Sequence, residues 1–142
     1  MAGKGSVLII DDEQSVLEIL EQYLIDRGYE VGASGDGSGA EELLREKSFD
    51  VALVDLKLPD CSGLDLISRF QIERPAMRCV IMTAYASLDS TIDAIRLNVF
   101  DYIQKPFDLV KIGEVVDAAY ASTPPNGGDH VCLLYTSPSP RD

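Results

Sequence analysis

The chain has 142 residues, 46% of them hydrophobic, and a formal net charge of −12 at pH 7. That length supports one domain with a real core rather than two, and the acidity argues against nucleic acid or an anionic membrane as a partner of this domain. The apolar runs are far too short to span a bilayer, Met1–Ser6 does not resemble a signal peptide, and the three cysteines show neither metal-ligand spacing nor an even count, so a reducing cytoplasm is the expected location.

Val7–Ile10 (V-L-I-I) is a continuous apolar run, expected as a first buried strand, and it exits into Asp11-Asp12-Glu13. Gln14–Arg27 carries Val16, Ile19, Leu20, Tyr23 and Leu24 at helical spacing, with Gly28 as stop signal. Tyr29–Ser34 alternates weakly, as suits an edge strand. Gly35–Gly39 reads as a turn and Ala40–Lys47 as a short helix with Leu43 and Leu44. Asp50–Asp55 is the central strand: its apolar residues leave no polar face, and it ends in one carboxylate before the Pro59-Asp60 turn. Ser62-Gly63 opens a helix through Arg74, with Leu64, Ile67 and Phe70 on one face and Pro75 as terminator.

Arg78–Thr83 (R-C-V-I-M-T) is another buried strand, ending in a hydroxyl, with Cys79 as an inert core residue. Leu88, Ile92, Ile95 and Val99 follow the spacing of an amphipathic helix, and Asn98 suits a left-handed C-cap. Tyr102–Gln104 is a short strand, Lys105-Pro106 a turn, and Leu109–Tyr120 a last helix. This alternation of strands and helices predicts an α/β fold with a doubly wound parallel sheet. The expected organisation is a disordered N-terminus over residues 1–5, a domain over 6–121, and a linker or frayed end over 122–131 that includes T-P-P-N-G-G-D. Cys132–Asp142 (C-L-L-Y-T-S-P-S-P-R-D) fits no element and resembles a translated transposase sequencing adaptor, so the natural chain is expected to have been cut at a fragment end. His130, just before that tail, receives no catalytic role.

Ligands of an open parallel sheet bind beyond the carboxyl ends of its strands. Those ends here carry Asp11 and Asp12, Asp55, Thr83 and Lys105. Each has an ordinary role open to it: Asp12 as a helix N-cap, Asp55 capping the loop that follows it, Thr83 as a strand-end hydroxyl, Lys105 as a solvated lysine. Their joint arrival at strand exits is harder to attribute to accident. Clustered carboxylates repel one another unless a cation is present, and hard oxygen donors suit Mg²⁺ better than zinc. Asp55 is then the natural nucleophile toward a phosphoryl group, with Lys105 pairing one phosphoryl oxygen and the Thr83 hydroxyl bonding another.

The motifs V-L-I-I-D-D-E, V-A-L-V-D-L-K-L-P-D-C-S-G, V-I-M-T-A-Y and F-D-Y-I-Q-K-P-F, in this order, make the chain from about Ser6 to Tyr120 resemble the receiver domains of two-component response regulators. The resemblance implies a (βα)5 flavodoxin-like three-layer sandwich with strand order 2-1-3-4-5. It implies Asp55 as phosphoacceptor, Asp12 and Asp55 as direct Mg²⁺ ligands with Asp11 close by through water, the backbone carbonyl of Lys57 as a further ligand, and a cis Lys105–Pro106 bond. It also implies a switch that couples Thr83 to Tyr102 and alters the surface of the fourth helix, fifth strand and fifth helix, a face suited to homodimerisation. Lys57 and Tyr85 occupy the flanking positions that tune hydrolysis in such domains. The expected partner is a histidine kinase or phosphotransfer domain, with an output domain missing from this chain.

Three other readings compete. An aspartyl-phosphate hydrolase would need a general acid two residues after the nucleophile, where Lys57 stands. A flavin or nucleotide binder would cradle phosphate in a Gly- or Ser-rich loop, whereas the first loop here is acidic. A degenerate receiver used only for docking would not need the intact set of Asp11, Asp12, Asp55, Thr83 and Lys105.

Overall fold

The computed structural model describes residues 4–122. Strands and helices alternate throughout: β1 (Ser6–Ile10), α1 (Gln14–Asp26), β2 (Glu30–Ser34), α2 (Gly37–Glu46), β3 (Val51–Asp55), α3 (Gly63–Glu73), β4 (Arg78–Thr83), α4 (Leu88–Arg96), β5 (Asp101–Gln104) and α5 (Leu109–Ser122). The strands form one parallel sheet in the order β2-β1-β3-β4-β5. This is the doubly wound α/β sheet expected from the apolar runs. The linker Thr123–Asp129, His130 and the adaptor-like Cys132–Asp142 lie outside the described residues.

The two-residue period of a strand divides the core. Val7, Ile9, Leu53, Val80 and Met82 face one side, where they pack with Leu20 and Leu24 of α1 and Ile112 and Val116 of α5. Leu8, Ile10, Ala52, Val54 and Ile81 face the other, against Leu44 of α2 and Leu66, Ile67 and Phe70 of α3. With apolar side chains covered on both faces, β1, β3 and β4 have no solvent side. Burying one such Leu or Ile contributes roughly 2–3 kcal/mol. The sheet is therefore a rigid frame, and whatever its carboxyl-end loops carry is held to a fixed register.

Two local expectations differ from the structure. The helix expected over Ala40–Lys47 starts earlier, at Gly37, because the Asp36 carboxylate accepts the Gly39 N–H at 2.7 Å and caps it. The capping bond outweighs the poor helix propensity of the G-S-G stretch. The amphipathic pattern of α4 does not mark a buried face: Leu88 and Ile95 are 76% and 71% exposed, and Ala94 is the buried residue of this helix. α4 stops at Arg96, with Leu97 as C-cap and Asn98 in the left-handed region at φ 60°, so Val99 follows the helix rather than extending it. Its start is fixed by a capping box between Ser87 and Ser90.

Candidate functional site

Neighbouring strand ends bring the charged residues together. β1 and β3 pair as Ile10 with Val54, so Asp11 and Asp55 follow side by side at the exit of the sheet. Both are buried, Asp11 completely and Asp55 to within 4%. Asp12 is exposed, yet one carboxylate oxygen from each of Asp11, Asp12 and Asp55 lies within 4.8 Å of the others. Asp12 does not cap α1; that position belongs to Glu13, whose side chain makes no capping bond.

Lys105 enters from the end of β5, beside a cis Lys105–Pro106 bond. Its N–H donates to the Thr83 carbonyl at 2.8 Å, which registers the loop after β5 against the end of β4. Its ammonium lies 2.6 Å from Asp11 Oδ2, 3.1 Å from Glu13 Oε1 and 3.4 Å from Asp55 Oδ2. Two buried carboxylates and one ammonium leave the pocket with an excess of negative charge. Burial, and next the charge of Asp11, push the Asp55 carboxyl above its usual range, and Lys105 offsets only part of this. Burial also works against the Lys105 charge, but the hydrogen bonds and charges of Asp11, Glu13 and Asp55 outweigh it and raise its pKa above an ordinary lysine. Lys105 therefore stays protonated at neutral pH.

The remaining predicted residues flank this pocket. Thr83 is fully buried, one step beyond Met82, the register partner of Asp55, and its Oγ1 accepts the Tyr85 N–H at 2.9 Å. The Lys57 N–H donates to Asp55 Oδ1 at 3.4 Å, a long bond that ties the loop after β3 to its carboxylate. The Lys57 ammonium sits 4.1 Å from the centre of the Tyr85 ring. Tyr102 is not drawn into the pocket: its hydroxyl bonds Ser90 Oγ of α4 at 2.7 Å, and its ring packs on the α2–α3 side of the sheet. Glu13 was visible in the sequence as part of D-D-E, but its contact with Lys105 was not, since that pairing joins loops 92 residues apart.

The donor set fits a hard divalent cation. Three carboxylates converge with no histidine or cysteine among them, two are shielded from water and one opens to it, and Lys105 alone does not balance them. An open doubly wound sheet with an acidic pocket and an invading lysine beyond the carboxyl ends of its strands, where ligands of such sheets bind, defines the class.

Comparison with known proteins places the chain within that class. The family model for the response regulator receiver domain matches residues 7–117, and the chain belongs to that family. It is 38% identical over 103 residues to the alginate biosynthesis transcriptional regulatory protein AlgB of Pseudomonas putida, an alignment covering 72% of this chain and 23% of AlgB. Among solved structures, a CheY-like receiver domain protein from Methanospirillum hungatei superposes with a TM-score of 0.80 at 29% identity, covering 83% of this chain and 94% of that one. A response regulator protein from Burkholderia pseudomallei, solved with a phosphorylated aspartic acid, calcium ion and citrate, superposes with a TM-score of 0.74 at 28% identity, covering 82% of this chain and 68% of that one. The chain spans about a quarter of the length of the curated relatives it matches.

Proposed function

We propose that this domain accepts a phosphoryl group on Asp55 from the phosphohistidine of a histidine kinase or phosphotransfer domain. The observation that carries the reading is the convergence of the Lys105 ammonium with Asp11 and Asp55 in a pocket completed by Asp12. The phosphorylated aspartic acid named for the Burkholderia relative supports the same chemistry, and its calcium ion supports a divalent cation in such a pocket. Asp11, Asp12 and Asp55 would hold Mg²⁺ here, with the Lys57 backbone carbonyl as a further donor. When bound, Mg²⁺ supplies neutralisation of the charge shared between carboxylate and phosphoryl oxygens.

This chain's own groups perform the rest. An Asp55 carboxylate oxygen attacks phosphorus as the N–P bond to the donor imidazole breaks, and the bonding pair returns to the imidazole nitrogen. Lys105, fixed by Asp11 and Glu13, is placed to pair with a phosphoryl oxygen as a point charge. The Thr83 hydroxyl, which accepts the Tyr85 N–H in the present structure, donates its own proton to another. Tyr102 would then leave Ser90, so that a local charge shifts a surface with two arrangements. Exposed Leu88 and Ile95 on α4 supply apolar area for that output surface, which would serve homodimerisation through α4, β5 and α5 or contact with an output domain. The phosphoacceptor acts as a signalling domain that assists its own phosphorylation and dephosphorylation, within a domain bounded near residues 6 and 121. We take the domain to be part of a larger response regulator or hybrid kinase, and the curated relatives, of which the matched region is about a quarter, support the former.

Incubation with acetyl phosphate and Mg²⁺, followed by intact mass, tests the assignment. One added phosphoryl group is expected, lost in Asp55→Asn and suppressed by chelator. Equal labelling of Asp55→Asn would refute it.

A further inference from the structure

The loop from β3 to α3 is fastened at both ends. At its base the Gly63 N–H donates to the Leu56 carbonyl at 2.7 Å and the Leu58 N–H to the Cys61 carbonyl at 3.3 Å, while Lys57 and Ser62 form an isolated antiparallel bridge. At its tip Asp60 reaches across to the first turn of α2. There its Oδ1 accepts the Gly37 N–H at 2.9 Å and its Oδ2 the Ser38 N–H at 3.0 Å. These are donors that a helix start leaves without partners, at the positive end of the helix dipole. The approach is close: a Cβ on Gly37 would stand 2.5 Å from Cys61 Sγ. The two N–H groups hold the Asp60 carboxyl below its usual range, so the clamp is charged at neutral pH.

α2 already has a cap of its own, since Asp36 accepts the Gly39 N–H at 2.7 Å. Two carboxylates thus serve one helix start, and only Asp60 belongs to the loop that leaves the phosphoacceptor. That loop's near limb carries Asp55 and Lys57, and the Lys57 N–H points at the Asp55 carboxylate. Anchoring the tip fixes the direction of the near limb. We propose that Asp60 is a positioning residue for the acidic pocket: its clamp on the start of α2 holds the loop that orients the Asp55 carboxylate and the Lys57 backbone. The proposal rests on the reading of Asp55 as a metal-assisted phosphoacceptor and adds a residue to it.

The test compares Asp60→Ala, Asp60→Asn and Asp36→Ala in the full chain. Mn²⁺ serves as the probe, with free ion followed by electron paramagnetic resonance, alongside phosphorylation by acetyl phosphate and urea unfolding. Asp60→Ala and Asp36→Ala each remove one carboxylate from the same helix start, so both lower stability. Only Asp60→Ala should weaken Mn²⁺ binding, by roughly 10–100-fold, the range seen when groups that orient metal ligands are removed. Asp60→Asn keeps one acceptor oxygen and should fall between Asp60→Ala and the unmutated chain. Mn²⁺ affinity in Asp60→Ala and Asp60→Asn within twofold of Asp36→Ala would overturn the proposal and leave Asp60 as a plain helix cap. Failure of the unmutated chain to bind Mn²⁺ or take up phosphate would overturn the phosphoacceptor reading itself, and this one with it.

Discussion

Gly63 stands where α3 begins, after the loop that leaves β3, and a side chain there has no space. A Cβ would lie 2.1 Å from the Asp55 carbonyl oxygen and 2.9 Å from both the Asp55 carbonyl carbon and the Leu56 Cα. All three are backbone atoms, and real Cβ contacts do not fall under 3.0 Å, so Gly63→Ala must part the end of β3 from the start of α3 by about 0.9 Å. Overpacking of this kind costs about 1–3 kcal/mol, and rigid backbone puts it at the upper end. The 2.7 Å bond from Gly63 N–H to Leu56 weakens as the gap opens, at a further ~1 kcal/mol. Alanine recovers up to ~1 kcal/mol in helix propensity. The net is a destabilisation of about 3 kcal/mol, which lowers Tm by roughly 10 °C in a domain of this size. Urea unfolding with Gly35→Ala as control measures it, because a Cβ on Gly35 meets only the Asp11 carbonyl oxygen, at 3.9 Å. The displacement also moves Asp55, and misplacement by about 1 Å costs up to a hundredfold in rate. A Gly63→Ala midpoint equal to that of Gly35→Ala would refute the packing argument.

Three further outcomes follow from the charges and burial. Asp55→Asn should stabilise the protein in chelator at pH 7, on the order of 1 kcal/mol, because it removes a buried carboxylate disfavoured by burial and by Asp11 while Lys105 keeps Asp11 and Glu13; a loss of stability in urea would show that the Lys105 attraction dominates. Asp117 tests a second network, at the C-terminal end of α1: burial pushes its carboxyl up, but the Tyr29 hydroxyl at 2.5 Å, Arg27 and Lys4 prevail and hold it below the usual range. Its folded pKa is thus lower than its unfolded one, so its stabilisation is complete above about pH 4 and lost as pH falls through the folded value. The Tm gap between the unmutated chain and Asp117→Asn should be level from pH 5 to 7 and close below pH 4, and a gap unchanged at pH 3 would exclude this linkage. Burial pushes the Cys79 thiol up to about 12, so its thiolate at pH 8 is scarcer by about a thousandfold than that of an ordinary thiol. Peptide mapping after brief alkylation should find Cys61 modified and Cys79 untouched until denaturant is added, and prompt native labelling of Cys79 would contradict its burial.

How legible each part was in the sequence depends on how local its cause is. β1, β3 and β4 were readable because burial on both faces demands a continuous apolar run, and a solvent-facing strand or a surface helix would break such a run with polar residues. Asp11 and Asp55 were readable for the same reason in reverse, as charges placed where those runs end, and Lys105 as the charge that follows the short β5. α4 was readable as a helix, but its regular stripe of Leu88, Ile92 and Ile95 faces outward, since periodicity reports that a face exists without saying what covers it. The start of α2 was hidden because Gly37 and Gly39 read as a turn, whereas Asp36 and the distant Asp60 supply the acceptors that its first N–H groups need.

The same division separates the pocket's composition from its geometry. Strand exits specify which groups arrive, but the final position of each depends on bonds between loops far apart in the chain. Lys105 is aimed by Glu13 as well as Asp11, and the Asp55 loop is held by Gly63 beneath it and by Asp60 against α2. The proposed phosphoacceptor needs both levels, since a carboxylate, an ammonium and a hydroxyl act together only when held within about half an ångström of a common arrangement. The sheet brings them near one another, and the contacts between loops provide the last alignment. Variants at Gly63 and Asp60 should therefore impair the site while leaving every group in it unchanged.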